Sequence, residues 1–443
     1  MLLVEISRQT FQKTLFINMK HTLLTIITEI VPSKRPQLDQ LLEQIRRDLL
    51  TNTLINFPSI SLLHFASFVI SNNELSPQLL IFENNFDGES SSYLDELLTV
   101  AGKGLHQIYR CCSAYPVNGS TAELRQFLEA NIVKPNAYHI GNVGRKAKII
   151  KGNQELRELL QNYLDKLPIV IKPDNVASIQ LRQEMQAFVK AHANAAIYEQ
   201  LPPHQSFSEK FFPRFWQFLL IAIILALIIW HFPYTLLIML VFIIAVAGIL
   251  RLKEESDPVI IPPPSVSDIE VLIKTENRFT QNHLANITNI KPGMFRLILL
   301  KVVLFGANLL ARTSTKGKLS GIPSIHFAHW SIINHNTQLL FLSNFDGSWS
   351  SYLDDFIDKA AKGLTGIWSN TQGFPYTKFL VRDGARDEIQ FKAYARNHQV
   401  ASLVWYSAYR DLTVQNIDKD SEIREKLFSP LSEIETTEWL KLF

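Results

Sequence analysis

Residues 84–116 read NNFDGESSSYLDELLTVAGKGLHQIYRCCSAYP, and residues 343–375 read SNFDGSWSSYLDDFIDKAAKGLTGIWSNTQGFP. The two stretches align without a gap, with roughly half of their positions identical; self-similarity of this kind marks a duplicated structural unit. Working outward from the second stretch, residues 282–290 read as a strand and 294–312 as a long apolar helix. Residues 324–333 and 338–343 form a strand pair around a short polar turn, and 351–370 form an amphipathic helix. A strand at 377–382, a helix at 386–398 and a strand at 402–409 complete the unit. The first copy runs in parallel through 21–31, 36–50, 62–70, 78–83, 92–110, 121–130 and 137–143, with a weak counterpart of strand 377–382.

The order strand, helix, strand, strand, helix, strand is that of a ferredoxin-like unit. The expected fold class is therefore α+β: two tandem ferredoxin-like (βαββαβ-type) repeats, able to pack sheet on sheet as an internal dimeric α/β barrel, with an inserted transmembrane helical hairpin. The space between such sheets is a natural ligand site. Expected boundaries are 1–168 for the first repeat, 169–213 for a helical connector, 214–251 for the hairpin, 252–275 for a Pro-rich linker, 276–430 for the second repeat and 431–443 for a C-terminal tail.

The inserted segment carries no Lys, Arg, Asp or Glu from Phe215 to Leu250. One helix of that length would extend about 54 Å, well beyond a hydrocarbon core of about 30 Å, so two arms broken at His231-Phe232-Pro233-Tyr234 fit better. A re-entrant hairpin and a hairpin buried in a soluble core are the competing readings. Lys210 and Arg214 precede the segment and Arg251 and Lys253 follow it, which puts both repeats on the cytoplasmic side. The helix 294–312 is apolar nearly all round: either it is buried with Arg296 and Lys301 reaching outward, or one face lies on the bilayer. The first twenty residues lack the pattern of a signal peptide.

With 44 basic and 41 acidic residues the net charge is +3, without a basic run, which argues against nucleic acid as a partner. The expected partners are the bilayer and a lipid-like ligand or another protein. The two cysteines, Cys111 and Cys112, are adjacent, unsuited to a relaxed disulfide, and point to a reducing compartment.

Candidate chemistry lies in the repeated Asn-Phe-Asp-Gly. A structural reading makes Asp87-Gly88 and Asp346-Gly347 tight turns, with Ser92/Asp95 and Ser351/Asp354 as capping-box-like helix starts. A functional reading makes Asp346 and Asp87 acid/base groups facing the inter-sheet space, with Asn344 and Asn85 orienting a ligand. His326 and His64 hold matching places in the central strand pair, as hydrogen-bonded core residues or as ligands to a metal or haem. Arg396 and Arg410, with Arg382, Arg386 and His398, form a basic and aromatic group suited to an anionic head or to solvated surface. No Ser-His-Asp or Cys-His arrangement stands out.

Ile325–Trp330, Ser343–Ser348 and Tyr352–Phe356, followed by Gly373-Phe374-Pro375, Asp383-Gly384-Ala385 and Trp405–Tyr409, resemble an uncharacterised group of bacterial proteins with tandem IHFAxW…SNFDGS…YLDDF repeats. That resemblance implies a shared fold and no particular activity. Asn344–Gly347 also resembles the Gly-x-x-Asp-Gly motif of the dye-decolourising peroxidases, built from tandem ferredoxin-like units, with Ser343 standing where that family has glycine. It implies haem as a cofactor and Asp346 as acid/base, and it identifies no axial histidine. The function expected first is a membrane-anchored binding protein. A haem-dependent peroxidase-like oxidoreductase and a structural pseudo-dimer for assembly are the alternatives.

Overall fold

The computed structural model describes residues 21–71, 77–116, 119–167, 178–192, 219–220, 222–228, 230, 234–258, 266–276, 279–313 and 321–443. In the first half β1 (His21–Glu29), α1 (Arg35–Arg47), β2 (Leu63–Ile70), β3 (Leu79–Asp87), α2 (Ser90–Tyr109), α3 (Thr121–Ala130), β4 (Ile132–Val133) and β5 (Ala137–Ile140) follow in order. Helices α4 (Ala147–Asp165), α5 (Ser178–Lys190), α6 (Thr235–Ser256) and α7 (Val266–Thr275) lead into the second half. There β6 (Gln281–Asn289), α8 (Met294–Thr313), β7 (Ile325–Ile333), β8 (Gln338–Asp346) and α9 (Trp349–Trp368) repeat the pattern. A small hairpin, β9 (Thr377–Lys378) and β10 (Arg382–Asp383), then α10 (Glu388–Asn397), β11 (Gln399–Val400), β12 (Ser402–Ser407), α11 (Val414–Leu427) and α12 (Glu433–Leu440) finish the chain.

These strands make a mixed α+β fold with two five-stranded antiparallel sheets, in the orders β12-β2-β3-β1-β4 and β11-β6-β8-β7-β5. The last strand of each half is exchanged: β5 pairs with β7 (Ala137 opposite Trp330, Ile140 opposite Phe327), and β12 pairs with β2 (Ser407 opposite Phe65). Gly141 ends β5 where a Cβ would stand 2.2 Å from the carbonyl oxygen of Ile325, so only glycine lets the strand leave the sheet there.

Alternation sorts the side chains. On β3, Phe82 and Phe86 face outward and stack on Phe68 and Tyr93, in a core closed by α1 and α2. On β8, Phe341 and Phe345 do the same against α9, with Phe345 stacked on Tyr352 at 3.9 Å. The inner faces meet in an apolar cluster of Val69, Ile81, Ile287, Leu340 and Leu342 at one end. At the other end α4 and α11 close the space with Ala147, Ile150 and Ile417 against Phe65 and Phe327. Strands buried on both faces need such continuous apolar cover.

Several expectations change. Residues 377–382 are not one strand but a hairpin whose turn carries Phe379 and Leu380 at φ 52° and 60°. Ser92 and Ser351 do not start helices. Helix α2 begins at Ser90 without a side-chain cap and α9 at Trp349, capped by Ser348, whose hydroxyl accepts the N–H of Ser351. Asp95 and Asp354 instead pair with Arg125 and Lys392. Within the expected C-terminal tail, residues 431–443, helix α12 buries Trp439 against Leu156, Leu181 and Met185. Helix α6 runs on to Ser256, and part of the expected linker is helix α7. Leu236–Ser256 is long and apolar enough to cross a membrane. The expected break at 231–233, the proline run 262–264, the flanking Lys210 and Arg214, and the first twenty residues lie outside the described residues.

Candidate functional site between the sheets

A β-bulge interrupts the pairing of β2 between Leu63 and Phe65, and another interrupts β7 between Ile325 and Phe327. A bulge breaks the in-out alternation, so the consecutive residues His64 and Phe65, and likewise His326 and Phe327, all reach the inter-sheet space. The Phe65 ring lies 5.2 Å from that of His326 and 5.7 Å from that of Phe327. Period two on β3 places Glu83, Asn85 and Asp87 on the same inner face.

Asp87 is a junction. Its Oδ1 lies 3.0 Å from His64 Nε2 and 3.2 Å from His21 Nδ1, while Oδ2 accepts the N–H of Ala147, the first residue of α4, at 2.9 Å. Asp346 repeats the design, with His326 Nε2 at 2.7 Å and the N–H of Val414, the first residue of α11, at 2.8 Å. Each aspartate thus ties a strand histidine to a helix N-terminus, where the helix dipole favours a carboxylate. The strand partners of the two aspartates differ: His21 opposite Asp87 corresponds to Gln281 opposite Asp346. Tyr409 lies between the two pairs, its hydroxyl 2.7 Å from His64 Nδ1 and its ring 6.0 Å from that of His326. Burial raises the Asp87 carboxyl, but His64 and His21 outweigh it and hold the group well below the usual carboxylate range. Burial lowers His64, against the pull of Asp87.

One layer inward, Glu83 is fully buried and joins the sheets. Its Oε2 lies 2.9 Å from His283 Nε2 and accepts from the Ser67 hydroxyl at 3.0 Å, while Oε1 accepts from Asn85 at 3.0 Å and Asn344 at 3.3 Å. His329 Nδ1 stands 3.8 Å away, its Nε2 2.9 Å from Thr25 Oγ1. Trp405 donates to Asn344 at 2.9 Å. Burial pushes Glu83 up, yet His283 and His329 prevail and bring it down to about 2. Burial lowers His329, partly offset by Glu83, and the neighbouring His283 lowers it further.

Of the residues singled out from the sequence, Asp87, Asp346, His64, His326, Asn85 and Asn344 therefore converge. Arg396 and Arg410 do not join them. Arg396 grips both carboxylate oxygens of Glu276 and lies 3.6 Å over the Trp349 ring, and Arg410 is an exposed residue over Phe279. Glu83, His21, His283, His329 and Tyr409 escaped the sequence reading. Glu83 was within reach of it, two residues before Asn85 on the same face.

His21, His64 and Asp87 bring three ligand-type atoms within 4.8 Å of one another. The hydrogen bonding speaks against an ion. The Gly144 N–H donates to His21 Nε2 at 2.9 Å, so the imidazole proton sits on Nδ1, facing Asp87 where a metal would need a lone pair. Haem does not fit these residues either. Phe65, Phe327 and Tyr409 fill the space between the two His–Asp pairs, and both His64 nitrogens are engaged. A cavity of about 10 Å³, room for one water, lies instead under the outer face of the second sheet, among Phe341, Trp368, Phe391 and Tyr394. Comparison with models of known protein families and with curated proteins finds no match.

Proposed function

We propose that this is a membrane-anchored binding protein: two ferredoxin-like halves closed into one internal α/β barrel and held at the cytoplasmic face of a bilayer by the hairpin 214–251. Its lipid-like or protein partner is bound on the outside of the barrel, since side chains fill the space between the sheets. The observation that carries the reading is α6, whose apolar window is only 6 % buried. Leu237, Ile238, Val241, Phe242 and Ile244 stand exposed along it, and residues 222–228 are helical and exposed. An apolar surface of that extent requires cover, and its length matches a hydrocarbon core. Arg251 and Lys253 at its end favour the cytoplasmic side. The His–Asp and Glu–His layers act in this reading as an internal polar clasp.

The test is alkaline carbonate extraction of membranes from cells making the full chain, combined with an impermeant maleimide directed at Ile434→Cys, an exposed position on α12. The chain is expected in the pellet, labelled only after the membrane is opened. Release into the supernatant defeats the anchor, and labelling of intact cells reverses the orientation. A stoichiometric Soret band in the detergent-extracted protein would favour the haem-dependent peroxidase-like alternative instead.

A further inference from the structure

We infer that the second half rests on the bilayer through the apolar face of α8 and the tip of the β9–β10 hairpin, a contact that rests on α6 lying in the membrane. Along α8, Met294, Ile298, Val302, Phe305 and Leu309 recur at spacings of three and four and are 40 % to 70 % exposed. Arg296, Leu300 and Leu304 are buried on the opposite face. A helix covering a soluble domain presents polar residues outward; α8 presents this stripe, with Lys301 beside it.

The hairpin tip is a second apolar point. Phe379 and Val381 are exposed between Lys378 and Arg382, with Lys378 also 3.5 Å from Asp383. Phe379 and Leu380 hold left-handed backbone, which is unfavourable for bulky side chains. A glutamate from α6 keeps them there: Glu254, itself buried, accepts the N–H groups of Phe379 at 2.8 Å and Leu380 at 3.0 Å and the hydroxyl of Thr377 at 3.1 Å.

The C-terminal end of α6 fixes both patches. Arg251 bonds the Tyr376 hydroxyl, and Asp257, just past the helix, takes Lys291 at 2.7 Å and Arg296, at the start of α8. The α8 stripe and the hairpin tip therefore both begin where the apolar run of α6 ends. That continuity, with basic side chains flanking aromatic and aliphatic ones, is the pattern of an interfacial lipid contact. A bilayer is therefore the occupant the surface fits.

The experiment uses the full chain in phosphatidylcholine–phosphatidylglycerol vesicles, with bimane on single introduced cysteines. The buried thiols of Cys111 and Cys112 make the unsubstituted chain the labelling blank. Val302→Cys and Phe305→Cys report on α8, Leu240→Cys on α6 and Ile434→Cys on α12, which packs against α4 and α5. All four positions are solvent-facing or lipid-facing, and unchanged melting confirms that each variant folds. Quenching of the α8 labels by shallow doxyl lipids, with shielding from iodide, is the expected result, Ile434 showing the reverse. If Leu240 is lipid-quenched while the α8 labels respond to iodide, the contact is wrong and the anchor stands. If the α8 labels are shielded from both quenchers, protein covers the stripe and the lipid assignment falls. If Leu240 itself responds to iodide, the anchor fails with it.

Discussion

Glu83 shows what a single carboxylate does in this interior. In the other half the equivalent position, fixed by strand register, is Leu342, and the equivalent of His283 is Leu23. Leucine thus stands at both equivalent positions, Leu342 and Leu23, each in an apolar cluster of its own. Glu83→Ala leaves His283, Ser67, Asn85 and Asn344 without their acceptor in a fully buried site, and is expected to cost about 3 kcal/mol. The double change Glu83→Leu with His283→Leu, which copies the other half, recovers most of that loss, since an apolar pair of similar volume often replaces a buried ion pair at little cost. Urea titration in mild detergent, followed by tryptophan fluorescence, measures both; a double variant no better than the single one contradicts the argument. Titration follows the same residues. His64 and His329 are lowered by burial, so the unfolded chain takes up protons that the fold excludes once the pH drops below the ordinary imidazole value of about 6.5. Asp87 and Glu83 are held low in the fold, so they stabilise it above the ordinary carboxylate range and lose that contribution as the pH falls through it. Melting temperature is expected to decline in two stages, first below pH ~6.5 and again below pH ~4.5. A flat profile over both ranges would remove the polar layers from the stability of the fold.

At the scale of elements, the order of strands and helices was legible from the hydrophobic pattern, and β6, β7 and α3 lie within a residue or so of where that pattern puts them. Three things were not legible. The bulges that turn His64 and His326 inward carry no local signature. The β9–β10 hairpin lacks the glycine or asparagine that normally announces left-handed turn residues, since Glu254, far away in the chain, holds the turn. The strand exchange was hidden because an edge strand pairs as readily with one antiparallel neighbour as with another. Gly141 is the local residue that the exchange depends on. Gly141→Ala places a methyl group against the Ile325 carbonyl, a backbone atom that cannot step aside, and is expected to cost about 2 kcal/mol or more. The destabilisation is read as a lower melting temperature for G141A than for Gly152→Ala, where nothing stands within 4 Å of the added Cβ; equal melting temperatures would mean that β5 leaves its sheet with room to spare.

For the whole molecule the exchange matters most, because each sheet is finished by a strand from the other half. Separating the halves means stripping β5 from β7 and β12 from β2, exposing the edges of two central hairpins whose faces are already committed to burial. It also opens the Glu83 layer, whose partners come from both sheets, and pulls α4 from α11. A covalent link between the halves is therefore unnecessary once folding is complete. With a protease site inserted between residues 193 and 213 and cut after purification in detergent, the two pieces are expected to co-elute on size exclusion and to melt in one transition near that of the uncut chain. Separation of the pieces without denaturant would show that the exchanged strands contribute little beyond the tether. Co-elution that survives cutting but is lost in Gly141→Ala would identify β5 as the strand that locks the two halves, and would give a reason for glycine at the point where that strand turns away.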